Sequence, residues 1–179
     1  MKLPSGVLPA VRSMKDFDKA LESKHGMIVL LETRLSQLKS LVAYAHRADK
    51  KVIIHFDLIQ GLKTDEYGME YILREIKPDG IISTRGNVIG LAKKQHILAI
   101  QRVFLLDSLA IEHNQTLIER IKPDCIEVLP GLIPEFIENF SKKTKTPVIA
   151  GGLITDSKEV EDALAAGAVA VSTSKTDLW

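Results

Sequence analysis

The stretch EIKPDGII at residues 75–82 returns as RIKPDCIE at residues 120–127. In each copy, proline stops a helix and an apolar strand starts two residues later. The repetition is interpreted as favourable αβ-loop chemistry used twice, in preference to the trace of a duplication. Both interpretations give a repeating helix–strand unit of about 22 residues.

Eight short apolar runs follow this rhythm along the chain. They are VLPAV at 7–11, MIVLL at 27–31, VIIHFD at 52–57, GIIST at 80–84, LAIQRVF at 98–104, CIEVL at 125–129, PVIAGG at 147–152 and AVAVSTS at 168–174. Most are apolar throughout, which is typical of parallel strands covered on both faces, and amphipathic helices separate them. The alternation predicts an α/β fold, a compact (β/α)8 TIM barrel forming one domain over residues 1–179. The alternative is an open doubly wound sheet.

Several residues mark the expected helix boundaries. Ser13 with Asp16, and Asp156 with Glu159, have the spacing of a capping box. Asp107 precedes a helix and is expected to cap it. Gly167 stands where a helix that ends at residue 166 needs a left-handed residue.

Composition excludes several classes of protein. The 179 residues carry a net charge of +1, with 45% hydrophobic and 26% charged residues, as in ordinary globular chains. Near-neutrality argues against a non-specific nucleic-acid coat. One cysteine argues against a disulfide scaffold or a cysteine-built zinc site. Since no run has the length of a membrane span and no signal-peptide core is present, we expect a cytoplasmic protein without a membrane partner.

The loops after the last two strands predict an anion site. In a barrel, the working face lies at the carboxyl ends of the strands. Gly151 and Gly152 let the backbone approach a ligand closely, while Ser172, Thr173 and Ser174 offer amides and hydroxyls at the start of a last helix. We therefore expect phosphate binding within residues 150–176. The alternative is glycine for tight turns and serine as a helix cap.

Acidic side chains end other strands. Alternation places Glu127 with Cys125 and Leu129, and Glu32 with Ile28 and Leu30. These acids can bind the hydroxyls of a polyol, act as general bases, or form ion pairs with Arg102 or Arg12. The ion pair and the functional role are equally supported. His55, on the same face as Asp57 and deeper, is expected to be a buried, hydrogen-bonded histidine.

Basic and amide side chains also follow the strands. Arg12, Lys63, Arg85 and Asn87, together with Arg102, can complement a phosphate or a polynucleotide backbone. Aromatic residues, at 5%, are too sparse for a base-stacking platform. No catalytic motif of known spacing is present, and no acidic pair is singled out as a metal site, so neither catalytic residues nor a metal are expected.

Several longer motifs of the sequence resemble those of a known protein family. LPAVRSMKDFDKAL, HFDLIQGLKTDEYG, IKPDGIISTRGNVI, AIQRVFLLDS, PDCIEVLPGLIP and AGGLITDSKEVEDALAAGAVAVSTS resemble the glycerol uptake operon antiterminator regulatory proteins, the GlpP family, from residue 8 to residue 179. The resemblance implies a cytoplasmic (β/α)8 protein that uses no cofactor and senses glycerol 3-phosphate. When loaded, it would bind the leader mRNA of a glycerol operon and prevent termination.

The resemblance also suggests how the effector would lie. Its phosphate would sit on Gly151, Gly152, Ser172, Thr173 and Ser174, and its polyol end, judged from the strand ends, would point toward Asp57, Arg102 and Glu127.

Two functions are therefore weighed. A regulator binds its ligand without turnover and contacts RNA through a local patch. A small phosphate-binding barrel enzyme (an isomerase, lyase or phosphodiesterase acting on a phosphorylated three-carbon substrate) needs an acid–base pair. Short units leave little room for a lid and no lysine ends a strand, so a regulator that is not an enzyme is favoured. A homodimer would strengthen its RNA binding by pairing two weak patches.

Overall fold

A closed barrel of eight parallel strands forms the centre of the computed structural model, which describes residues 3–179. The strands are β1 (Gly6–Val11), β2 (Met27–Leu30), β3 (Lys51–His55), β4 (Gly80–Ser83), β5 (Leu98–Phe104), β6 (Cys125–Leu129), β7 (Val148–Gly151) and β8 (Ala170–Thr173). Each pairs with its neighbours in chain order, and β8 closes the ring by pairing Ala170 with Gly6 of β1. The predicted TIM barrel is confirmed, and the open doubly wound sheet is wrong.

Helices follow the first seven strands. They are α1 (Met14–Glu22), α2 (Leu35–Arg47), α3 (Glu66–Tyr71, continued by a π-helical turn over Ile72–Ile76), α4 (Gly86–Lys94), α5 (Ser108–Ile121), α6 (Pro134–Thr144) and α7 (Ser157–Ala165). After β8 there is only a three-residue 3₁₀ turn, Thr176–Leu178. The expected last helix, with its anion-binding N-terminus, is therefore wrong. Within residues 3–179, no helix has the length and apolar character needed to cross a membrane.

The predicted caps form. Ser13 Oγ accepts from the Asp16 amide, Asp107 accepts from the amide of Ala110, and Asp156 and Glu159 make both bonds of a capping box. Gly167 has a φ of +96°, as its place after α7 requires.

The repeated IKPD segments have the same structure. Lys77 and Lys122 end their helices in the left-handed conformation. The carboxylate of Asp79 then accepts from the amide of Val52, and that of Asp124 from the amide of Ala99, both at 2.9 Å. Each aspartate thereby binds the amino-terminal part of the preceding barrel strand. Both interpretations of the repeat predict this equivalence.

The core has two layers. Alternate strand residues, including Val29, Ile53, Ile82, Ile100 and Ile149, fill the interior of the barrel. The other strand faces pack against the helices in two further clusters. Because both strand faces are buried, the sequence has continuous apolar runs in place of alternation.

Two short elements shape the mouth, the end of the barrel where the strands terminate. Thr33–Arg34 and Ile59–Gln60 form a two-residue parallel ladder above β2 and β3. Phe56–Leu58, directly after β3, form a 3₁₀ turn. Both hold loops of the mouth in fixed positions.

Candidate functional site

A small cavity opens at the mouth between β1, β5, β6 and the loops after β7 and β8. Its volume is about 110 Å³, room for on the order of ten non-hydrogen atoms. This is the size of a three-carbon phosphate ester. The lining side chains are Ala10, Arg12, Leu31, Arg102, Glu127, Leu129, Gly152, Leu153, Ile154, Ser172, Thr173 and Ser174.

A buried ion pair forms one wall of the cavity. Arg102 and Glu127 stand opposite each other in the β5–β6 register, and Arg102 Nε lies 2.7 Å from Glu127 Oε2. Ser172 Oγ donates to the other carboxylate oxygen, Oε1, at 2.6 Å. The glutamate side chain is only 2% exposed and that of the arginine 11%. Of the two alternatives for Glu127, the ion pair is present, with Arg102 as the partner whose charge it neutralises.

The two glycines at the end of β7, Gly151 within the strand and Gly152 after it, have different roles. A Cβ on Gly151 would stand 2.5 Å from Ser172 Oγ and 3.0 Å from Glu127 Oε1, so this glycine makes room for the buried hydrogen-bonded chain. Gly152 has a φ of +72°, a conformation that favours glycine, and it lines the cavity. Of the two, Gly152 is the one placed to approach a ligand.

Two of the three hydroxyls expected to bind phosphate are already engaged. Ser172 donates to Glu127, and Thr173 Oγ1 donates to the carbonyl of Ile154 while accepting from the Lys175 amide. Ser174 is exposed at the rim of the cavity. Within residues 3–179, and apart from bonds within helices and strands, the backbone N–H groups of Gly152, Leu153 and Ser174 donate to no backbone carbonyl. The groups free to hold an anion are therefore mainly these amides and the hydroxyl of Ser174.

Arg12 supplies the unbalanced charge of the cavity. It is exposed at the end of β1, and no carboxylate oxygen within residues 3–179 lies within 4.0 Å of it. Since Glu127 already balances Arg102, Arg12 is the cation available to a ligand phosphate.

Asp57 does not join Arg102 and Glu127. The strand ends at His55, and the 3₁₀ turn that follows carries the Asp57 side chain out of strand alternation. Its carboxylate accepts from Ser83 Oγ at 2.7 Å and from the amide and hydroxyl of Thr84. Asp57 thus ties the third loop to the fourth and lies outside the cavity lining.

The other predicted side chains are distributed around the mouth. Arg85 lies 3.9 Å from Asp57, Lys63 lies 4.0 Å from Asp65, and Asn87 lines a separate open groove with Tyr67. Glu32 is exposed and lies on the strand side of Ile28 and Leu30, as alternation predicts, while Val29 and Leu31 face the barrel interior. At the mouth it lines a groove beside Arg12 and is not part of the cavity lining.

His55 is buried but lacks the partners that were expected. The residue is 2% exposed, and within residues 3–179 neither ring nitrogen has a hydrogen-bond partner. Burial, aided by the nearby charge of Arg102, lowers the pKa of His55 to about 4, so the imidazole is neutral.

Cys125, in the same barrel interior, is inert. Burial and the neighbouring Asp124 raise the pKa of its thiol to about 12. Within residues 3–179, no three metal-ligating side chains form a cluster that could hold an ion.

The apolar residues of the lining were not predicted from sequence, and Leu153 is the most exposed of them. Leu153 has a left-handed φ of +63° and is 69% exposed at the edge of the cavity. The only sequence signal of this conformation and exposure is the position of Leu153 directly after the two glycines.

Comparisons with known proteins identify the family of the chain. Residues 7–179 match the family model described as glycerol-3-phosphate responsive antiterminator. A glycerol uptake operon antiterminator regulatory protein from Listeria monocytogenes is 48% identical, with a TM-score of 0.96 over 100% of this chain and 98% of that one.

Two further relatives extend the comparison. A glycerol uptake operon antiterminator-related protein from Thermotoga maritima is 29% identical, with a TM-score of 0.87 over 98% of both chains. The Escherichia coli protein YgcP is 31% identical over 97% of this chain and 91% of its own length.

Proposed function

Because the chain belongs to the glycerol-3-phosphate responsive antiterminator family, we propose that it is a cytoplasmic regulator that binds glycerol 3-phosphate and, when loaded, the leader mRNA of a glycerol operon. Its bound form would prevent terminator formation, so that transcription continues into the genes of glycerol uptake and use.

The cavity at the mouth is the observation that carries the effector assignment. It fits a three-carbon phosphate ester in size, and it combines free backbone amides with the charge of Arg12. We place the phosphate against Gly152, Leu153 and Ser174, beside Arg12. The polyol hydroxyls would then face Arg102 and Glu127. Hydrogen bonds hold these two side chains in place, so that they can recognise the hydroxyl groups.

The state of the ionisable groups supports binding without turnover. Both oxygens of Glu127 accept short hydrogen bonds, Arg102 is paired, and the imidazole of His55 is neutral and buried. A general base must take up the proton that it removes. Glu127 is held in place by one hydrogen bond to each of its oxygens, which suits a fixed acceptor for a ligand hydroxyl.

Thermal unfolding tests the effector. A ligand at about 100 times its Kd adds about 2.7 kcal/mol of stability, which raises the Tm of a domain of this size by about 5–11 °C. We expect this shift with glycerol 3-phosphate and none with glycerol, since only the ester fills the anion site. Equal shifts, or none, would refute the phosphate assignment.

Filter binding of a glycerol-operon leader transcript tests the regulator. Ligand and RNA binding should be coupled reciprocally, so glycerol 3-phosphate should tighten the RNA complex. RNA affinity that is independent of the ester would contradict the sensor. Product formed from the ester would favour the enzyme.

A further inference from the structure

The cations of the mouth lie on one side of it. Each of the first four βα loops carries one exposed cation, namely Arg12, Arg34, Lys63 and Arg85, and the exposed Lys175 follows β8, which lies next to β1. The loops after β5, β6 and β7, at 105–107, 130–133 and 152–156, contain none and expose apolar side chains such as Leu106 and Leu153. A polyanion is therefore attracted to the first half of the mouth.

A polar groove crosses this cationic half. Its walls are Arg12, Glu32, Thr33, Arg34, Gln37 and Gln60, and its volume is about 300 Å³. Within residues 3–179, no carboxylate oxygen lies within 4.0 Å of Arg12 or Arg34, so both guanidinium groups are free although Glu32 is nearby. The ladder that pairs Arg34 with Gln60 holds the groove in shape.

The helix beside the groove leaves further positive potential there. α2 begins after Arg34, which makes no side-chain cap, and its first turn has no acidic residue. α4, which begins after Arg85, has the same arrangement, whereas α1, α3, α5 and α7 begin on a Ser13, Asp65, Asp107 or Asp156 side chain that accepts from a backbone amide. An arginine at this position opposes the helix dipole unless an anion lies close by.

Arg12 belongs to both sites. It lines the effector cavity together with Gly152 and Ser174, and it lines the groove together with Arg34 and Gln37. A guanidinium has five N–H donors in a fixed fork, so a phosphate that takes two of them leaves the others for a second phosphate.

We propose that the groove of Arg12, Arg34, Gln37 and Gln60 is the RNA-binding surface and that Arg12 couples it to the effector. This proposal rests on the proposed function and specifies the surface that would contact the RNA. The effector phosphate fixes Arg12, and the fixed guanidinium then receives the RNA backbone at a lower entropic cost. The two guanidinium groups bind RNA phosphates, and the two amides reach base edges or sugar hydroxyls.

The test compares single substitutions by RNA titration at several salt concentrations. Losing one phosphate contact to single-stranded RNA weakens binding about fourfold at 0.15 M salt and lowers the salt slope by about 0.7. We expect this for Arg34→Gln, with the effector-induced Tm shift kept. Arg120→Gln, an exposed arginine in the last turn of α5, at the other end of the barrel, is the matched control and should bind as the wild type does.

Arg12→Gln tests the coupling. At effector concentrations that saturate its Tm shift, glycerol 3-phosphate should no longer tighten RNA binding, whereas the Arg34→Gln variant should keep this response. Full coupling in Arg12→Gln would overturn the role of Arg12.

Other outcomes separate the two proposals. Wild-type RNA affinity and salt slope in Arg34→Gln, or a loss of affinity caused only by Leu106→Gln on the apolar half, would overturn the groove alone. No RNA binding by the wild type, with the effector shift intact, would overturn both the groove and the antiterminator function.

Discussion

The Arg102–Glu127–Ser172 chain leads to a prediction about stability. In a Glu127→Gln variant the side chain keeps its shape, but the carboxylate charge is lost. Of the two groups that donate to Glu127, one now faces the N–H group of the glutamine amide and has no acceptor. The charge of Arg102 remains in a place that leaves only 11% of its side chain exposed. Removing one partner of a buried ion pair costs about 3–5 kcal/mol, because the other charge stays buried without compensation.

The expected loss is measurable as a lower Tm and a lower urea midpoint. For a domain of this size, it corresponds to a Tm decrease of about 6–20 °C. The control is the double variant Arg102→Met/Glu127→Leu. It removes both charges and should recover most of the stability, since replacing a buried pair by apolar side chains is often neutral. A Glu127→Gln variant within about 1 kcal/mol of the wild type, or a double variant less stable than Glu127→Gln, would refute the reasoning.

Three further predictions concern other buried groups. The pKa of His55 is about 4 in the folded protein against an ordinary 6.5, so the unfolded chain takes up the proton first as the pH falls. The free energy of unfolding should therefore decrease by about 2 kcal/mol between pH 7 and pH 5. When urea unfolding is compared at both pH values, the His55→Gln variant should lack this contribution. Cys125, with its raised pKa and buried sulfur, should react with a thiol reagent only as fast as the protein unfolds; rapid labelling of the native protein would contradict this. Gly151→Ala should cost about 1–3 kcal/mol in urea unfolding, because the new methyl group contacts Ser172 Oγ; an unchanged urea midpoint would contradict the close contact.

The barrel itself follows from sequence because its signals are local. Apolar runs, the prolines of the IKPD segments and the caps at Asp107 and Asp156 each act over a few residues. The Arg102–Glu127 pair could also be predicted from sequence, since both side chains lie toward the ends of adjacent strands and on the same face.

The predictions failed where the structure depends on residues that are distant in sequence or on a local break in a strand. In a continuous apolar strand both faces are apolar, so alternation groups Glu32 with Ile28 and Leu30 but does not say which face points into the barrel. The 3₁₀ turn after His55 interrupts the strand and redirects Asp57 toward Ser83. Hydroxyls such as that of Ser172 have partners distant in sequence, and the Thr33–Arg34 ladder with Ile59–Gln60 is also non-local.

The two aspartates of the IKPD segments lie at the end of the barrel opposite the cavity, where they join neighbouring strands. Substitutions there should change only how long the folded protein survives, whereas substitutions at the mouth can change both its stability and what it responds to. Because the IKPD aspartates and their partners include no residue of the cavity lining, the effects of substitutions at the two ends should add. A stability loss that a new mouth side chain causes can therefore be offset at the opposite end of the barrel without altering the ligand response.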